Sequence, residues 1–146
     1  MKPSVQEQFE IKSDPKELQG LREKVSRLIH QLEFSEKAAN DILVALGEGC
    51  TNATRHSYEG KLDQPIHIRI EGDSKKIKIS IRDFGRKIDL SKIKTPKLPP
   101  DKPGGLGIYF MQTMMDQIEY NTKHPEGNEL ILTKYNEQGE SRENPS

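Results

Sequence analysis

Apolar positions along this chain repeat with two different periods. Leu18, Leu21, Val25, Leu28, Ile29 and Leu32 recur every three or four residues, which predicts a helix packed on one side and ending near Phe34. Ser13-Asp14-Pro15 just before it is a start signal, with proline suited to the first turn. Ala39, Ile42, Leu43, Leu46, Cys50 and Ala53 form a second stripe, opened by Ser35 and expected to run to about Ser57. The period then changes to two. Ile66, Ile68 and Ile70 alternate with polar residues, Gly72-Asp73-Ser74 turns the chain, and Ile77, Ile79 and Ile81 alternate again, which predicts a hairpin with one buried face. Val5, Phe9 and Ile11 mark a short extended segment ahead of the first helix. A third helix is expected over residues 106–115, and a last hairpin pairs residues 117–122 with 129–135 around Pro125-Glu126-Gly127-Asn128. The order describes an α+β fold, a two-layer sandwich of a mostly antiparallel sheet with helices on one face.

Composition narrows the picture. A chain of 146 residues suits one core, so residues 1–135 are read as a single domain and the polar stretch 136–146 as a flexible tail. Lysine and arginine together number 23, as do aspartate and glutamate, so no net field draws the chain to nucleic acid or to an anionic membrane. The single cysteine, Cys50, cannot form an internal disulfide, and no apolar run reaches the roughly 20 residues of a membrane span. The charged N-terminus lacks the apolar stretch of a signal peptide, and a cytoplasmic location is expected. Between the regular segments, residues 93–105 carry Pro96, Pro99, Pro100 and Pro103 and read as an irregular loop.

Three constellations carry candidate chemistry. Glu48, Asn52 and His56 follow at intervals of four, and at about 100° per residue they form one strip on the second helix, turned away from its apolar stripe. A solvated helix face would look the same, but Ala45, Gly49 and Ala53 beside the strip would let another molecule approach the backbone. Asp83-Phe84-Gly85 ends the second hairpin strand, where a carboxylate beside a glycine could accept a hydrogen bond from an adenine amino group. Gly104-Gly105-Leu106-Gly107 opens the third helix; it could be a plain hinge, or it could free backbone N–H groups for a phosphate.

In that order, Glu48-x-x-x-Asn52-x-x-x-His56, Asp83-x-Gly85 and Gly105-x-Gly107 resemble the N, G1 and G2 boxes of the GHKL ATPases. The strings ALGEGCTNATRHSY and PGGLGIYFMQTMMDQIEY look like those of the anti-sigma-factor serine kinases of the RsbW type. The resemblance implies a Bergerat-type sandwich that binds ATP or ADP with Mg2+. It makes Asn52 the magnesium ligand and Glu48 the catalytic base toward a serine hydroxyl. Asp83 and Gly85 then receive adenine, Gly105, Leu106 and Gly107 line the phosphate end, and His56 supports the nucleotide site. It further implies a STAS-type antagonist and a sigma factor as partners, and a homodimer. Residues 91–103 become a lid over the nucleotide. Lys87 departs from the pattern, because the family commonly has a second glycine there and lysine reaches a positive φ only at a cost.

Other nucleotide sites are unsupported: Asp83-Phe84-Gly85 comes without an H-R-D catalytic loop, and no G-x-x-x-x-G-K-[ST] occurs. His30, His56, His67 and His124 are scattered, which speaks against zinc. Two competing functions remain at this level. One is a catalytically silent nucleotide-binding module that captures a protein partner, and the other a switch-type kinase in a stress-signalling assembly.

Overall fold

The computed structural model describes residues 3–88, 111–121 and 123–137. Strand β1, Ser4–Lys12, leads through a single 3-10 turn, Pro15–Glu17, into helix α1, Leu18–Gln31. Asp14 caps that turn by accepting from the Lys16 amide at 3.0 Å. Helix α1 closes at Leu32, and Glu33 turns the chain in the left-handed region at φ 64°. Helix α2, Glu36–Asn52, opens on Ser35, whose side chain accepts from the Ala38 amide at 3.1 Å. Strands β2, Pro65–Asp73, and β3, Lys76–Asp83, form the expected hairpin; β4, Gln117–Asn121, and β5, Asn128–Tyr135, form the last one. Of the predicted third helix, 111–114 are helical and residues 106–110 lie outside the described residues.

The five strands lie in the order β1-β2-β3-β5-β4, and every pairing among the described residues is antiparallel. The mostly antiparallel sheet expected from the period-two segments is therefore present, with β5 inserted beside β3. Register puts alternate residues on opposite faces. One face carries Ile66, Ile68, Ile70, Ile77, Ile79, Ile81, Leu130 and Leu132, all buried, and both helices cover it. Leu21, Val25 and Ile29 of α1 and Ile42, Leu46 and Cys50 of α2 complete the core. Met111 and Met115, one helical turn apart, also fill it, while Met114 is half-buried. Burial pushes the Cys50 thiol up to about 12, so it stays a neutral packing group.

The opposite face carries the polar half of the alternation. Its end row runs Glu10, His67, Arg82, Glu129 and Asn121 from one edge strand to the other. Among the described residues no helix is long and apolar enough to cross a membrane.

Two expectations change. Gly49 does not open the helix backbone to a ligand: a Cβ there would lie 2.5 Å from Ile81 Cδ1 and 3.2 Å from Leu130 Cδ2, so its smallness lets α2 settle on the sheet. Ala45 and Ala53 are buried in the same core. Asn136, assigned to the tail, belongs to the fold: it is buried, its amide nitrogen donates to Lys75 O at 2.7 Å, and its side chain donates to Leu32 O at 3.2 Å. The two helix-end carbonyl contacts, to Leu32 and Glu33, explain why a polar residue is retained there.

Candidate nucleotide site at the end of the second helix

Helix α2 delivers Glu48 and Asn52 one turn apart, so α-helical spacing places both on one side, as expected. Glu48 is half-buried and Asn52 is buried, 8% exposed, at the helix's last residue. The strip does not continue unchanged to His56. Beyond Asn52 the chain widens into a π turn, Ala53–Ser57, closed by the Tyr58 amide donating to Ala53 O at 3.0 Å. In a π turn each residue advances through a smaller angle than in an α-helix, so extrapolating α-helical spacing to His56 fails. The extra residue instead brings Ser57 round to the end of β3.

There Asp83, the last residue of β3, is buried and 3% exposed. Its Oδ2 accepts from the Ser57 hydroxyl at 2.9 Å, and its Oδ1 accepts from the Asn128 side-chain amide at 3.0 Å and from the Gly85 backbone at 3.1 Å. The Asn128 amide nitrogen also reaches Ser57 Oγ and Arg86 O, each at 2.9 Å, while its oxygen accepts from the Ile88 amide at 2.8 Å. Burial raises the Asp83 carboxyl above its ordinary range, and these donors pull against it. The carboxylate is thus held by neutral donors rather than by an ion pair.

Gly85 closes the arrangement. A Cβ at this position would sit 2.3 Å from Ser57 O, and the neighbouring Arg86 amide donates to that same carbonyl at 2.9 Å. Glycine is thus required first by the contact between this loop and the π turn. Tyr58 fixes the loop from below, donating to Pro65 O at 2.6 Å and accepting from the Phe84 amide at 2.7 Å. Phe84 itself turns to the polar face, where its ring lies 4.4 Å from the Arg82 guanidinium and 5.0 Å edge-on from His67.

His56 is half-buried, and its ring is held below the usual histidine range by burial and by Arg55 and Arg86 nearby. A neutral imidazole is favoured there. Its carbonyl accepts from Arg86 Nε at 2.8 Å, and Arg86 pairs with Glu59 at 3.2 Å. Lys87 needs no positive φ: among the described residues the non-glycine exceptions are Glu33 and Glu59. Its ammonium donates to His124 O. Gly105, Leu106, Gly107 and the lid segment 91–103 lie outside the described residues.

Adenine fits this end of the site: a buried carboxylate fixed as an acceptor, with one Oδ2 lone pair left over among the described residues, suits an exocyclic amine. Magnesium fits more sparsely. Among the described residues no group of three or more His, Cys, Asp or Glu could hold a metal, and the Asn52 amide oxygen is the hard donor at the helix end. A magnesium ion held that way takes its remaining ligands from phosphate and water.

Sequence reasoning passed over Ser57 and Asn128 as a helix end and a turn residue. An asparagine opening a strand was the available signal, since its low strand propensity is tolerated where the side chain has partners.

The family model for the histidine kinase-like ATPase domain matches residues 11–134. The chain belongs to the histidine kinase-like ATPase family. Within this ATPase family its curated relatives include the serine-protein kinase RsbW of Oceanobacillus iheyensis, 28% identical over 88% of this chain and 85% of that protein. The protein of the same name from Bacillus subtilis is 25% identical over 88% of this chain and 84% of its own. Among solved structures, the RsbU and RsbW domains of Rv1364c from Mycobacterium tuberculosis superpose with a TM-score of 0.62 at 12% identity. That match covers 90% of this chain and 32% of the other, and it shows a shared fold. The family assignment read from the motif order and the α+β sandwich read from the element order both hold, as does the likeness to proteins named serine-protein kinase RsbW.

Proposed function

We propose that the protein is an anti-sigma factor and serine protein kinase that binds Mg-ATP and phosphorylates a serine of a STAS-type antagonist, so controlling how much sigma factor is free. The observation that carries the reading is the buried Asp83 carboxylate, fixed as an acceptor by Ser57, Asn128 and Gly85 at the end of the helix that bears Glu48 and Asn52. Relatives named for serine-protein kinase activity, aligned over most of both chains, support the direction of the chemistry.

Each residue then has a distinct task. Asp83 accepts from the adenine amino group, and Asn52 offers its amide oxygen to magnesium. The metal, when bound, offsets charge on the transferring phosphoryl oxygens. Glu48, half-buried a turn before Asn52, takes the proton of the attacking serine hydroxyl as its oxygen bonds to phosphorus and ADP leaves. Gly105, Leu106 and Gly107 line the phosphate end and His56 supports it. A cytoplasmic setting, a homodimer, and a single kinase body that includes Asn136 are parts of the same proposal.

The test incubates the protein with Mg-ATP and the STAS-type proteins of its own organism, with wild type beside Glu48→Ala. Phosphoserine on one antagonist from wild type, lowered at least 100-fold in the variant, is the expected result. Equal phosphoserine from both removes Glu48 from the role of base. Nucleotide binding with no phosphoryl transfer to any antagonist favours a silent binding module.

A further inference from the structure

We propose that Asn128 is the positioning residue that makes this site select a 6-amino over a 6-oxo purine; the inference rests on the nucleotide reading above. The argument is one of donor and acceptor count. A carboxyl buried as deeply as Asp83 could serve a ligand in either of two ways: ionised, it accepts from an amine; protonated, it donates to a carbonyl. Which of the two holds depends on what surrounds its oxygens.

Around Asp83 every described partner is a donor. Gly85 and Asn128 donate to Oδ1, and the Ser57 hydroxyl donates to Oδ2. The two amide hydrogens of Asn128 are shared among three acceptors, Ser57 Oγ at 2.9 Å, Asp83 Oδ1 at 3.0 Å and Arg86 O at 2.9 Å; the hydrogen given to Ser57 Oγ directs the single hydroxyl hydrogen of Ser57 to Asp83 Oδ2. Asn128 therefore acts on both carboxylate oxygens, one directly and one through serine.

The orientation of the amide is itself fixed. Its oxygen accepts from the Ile88 backbone at 2.8 Å and its nitrogen faces Arg86 O at 2.9 Å, so a flip would set oxygen against oxygen and N–H against N–H. Strand pairing of Asp83 with Asn128 across β3 and β5 holds the two side chains in register. The Oδ2 lone pair that remains among the described residues is then an acceptor site, which an adenine amine satisfies and a hypoxanthine oxygen does not.

The experiment measures dissociation constants for Mg-ATP and Mg-ITP by calorimetry on wild type, Asn128→Asp and Asn128→Ser, each checked for folding by circular dichroism. Wild type should prefer ATP by about 100-fold. In Asn128→Asp a second carboxyl replaces the donor and the preference should fall below about 10-fold, through weaker ATP binding with ITP affinity within a factor of about 3. Asn128→Ser keeps one hydroxyl donor without the charge; its preference should fall in the same direction but by less, and it carries the test if the aspartate variant fails to fold. Equal loss for both nucleotides overturns the proposal, leaving Asn128 a general support of the fold. If wild type binds ATP and ITP equally, Asn128 sets no selectivity although the nucleotide reading stands. If wild type binds neither, that reading fails and the selectivity falls with it.

Discussion

Asp83 and Glu129 are two carboxylates a few ångströms of sheet apart, on opposite faces, and their surroundings drive them in opposite directions. Asp83 faces the helices, and Glu129, paired with the neighbouring Arg82, faces the open side. Each accepts from a serine hydroxyl and an asparagine amide: Ser57 and Asn128 for Asp83, Ser80 at 2.5 Å and Asn121 at 3.0 Å for Glu129. The third donor differs, a backbone amide at Asp83 and the His124 ring at 2.9 Å at Glu129. Burial raises Asp83. At Glu129 burial also acts upward, but Ser80, His124 and Asn121 outweigh it and bring the carboxyl down to about 2. Similar hydrogen-bond sets therefore do not imply similar energetics. Both carboxylates keep one lone pair among the described residues, so it is the energetics that separate them: Glu129 is stabilised in ionised form by its surroundings, whereas Asp83 is held ionised at a cost, the pattern expected of a functional group.

The largest expected effect separates binding from stability at Asp83. Asp83→Asn should weaken ADP binding by about 100-fold, roughly 2.8 kcal/mol, in calorimetry. Its unliganded melting temperature should stay level or rise, because a buried charge has been removed. A loss of melting temperature matching the loss of affinity would erase the contrast.

Glu129→Gln should do the reverse, costing on the order of 2 kcal/mol of stability near neutral pH while leaving ADP affinity unchanged. The sign follows from its lowered carboxyl. Stability that depends on the ionised form is fully present above the unfolded carboxyl's ordinary value of 4.5 and is lost as pH falls toward about 2. Denaturant titrations across that window should therefore show a slope in wild type that flattens in the variant. A slope unchanged by Glu129→Gln would assign the acid sensitivity to other groups.

The smallest effect tests the serine. Ser57→Ala removes one hydrogen bond to the Asp83 carboxylate and should lower stability by about 1.5 kcal/mol, read from chemical denaturation, with a modest loss of adenine affinity. An unchanged affinity would mean that the Oδ2 donor does not matter to the ligand.

What could be read from the chain was local. The stripes from Leu18 and Ala39, and the isoleucine alternation around Gly72, record contacts within a few residues, and both helices and the hairpin formed where those periods placed them. Asp83 and Gly85 were legible as a pair for the same reason. Ser57 and Asn128 were not, because their meaning lies in hydrogen bonds spanning 26, 45 and 71 positions. The π turn was hidden too, since an apolar stripe through Ala53 looks the same in either winding until Ser57 is seen against Asp83. Gly49 resembles an opening for a ligand in the sequence because its true neighbours, Ile81 and Leu130, lie 32 and 81 positions away in the sheet.

Strand order has a consequence for synthesis. Because β5 enters between β3 and β4, the three strands made first can join the helices as a meander while Asp83 still lacks its asparagine. As the chain leaves the ribosome N-terminus first, the proposed adenine end of the site is finished only when the final strand docks. Prematurely terminated products that stop short of residue 128 would be poor competitors for cellular nucleotide, however much of the scaffold they retained.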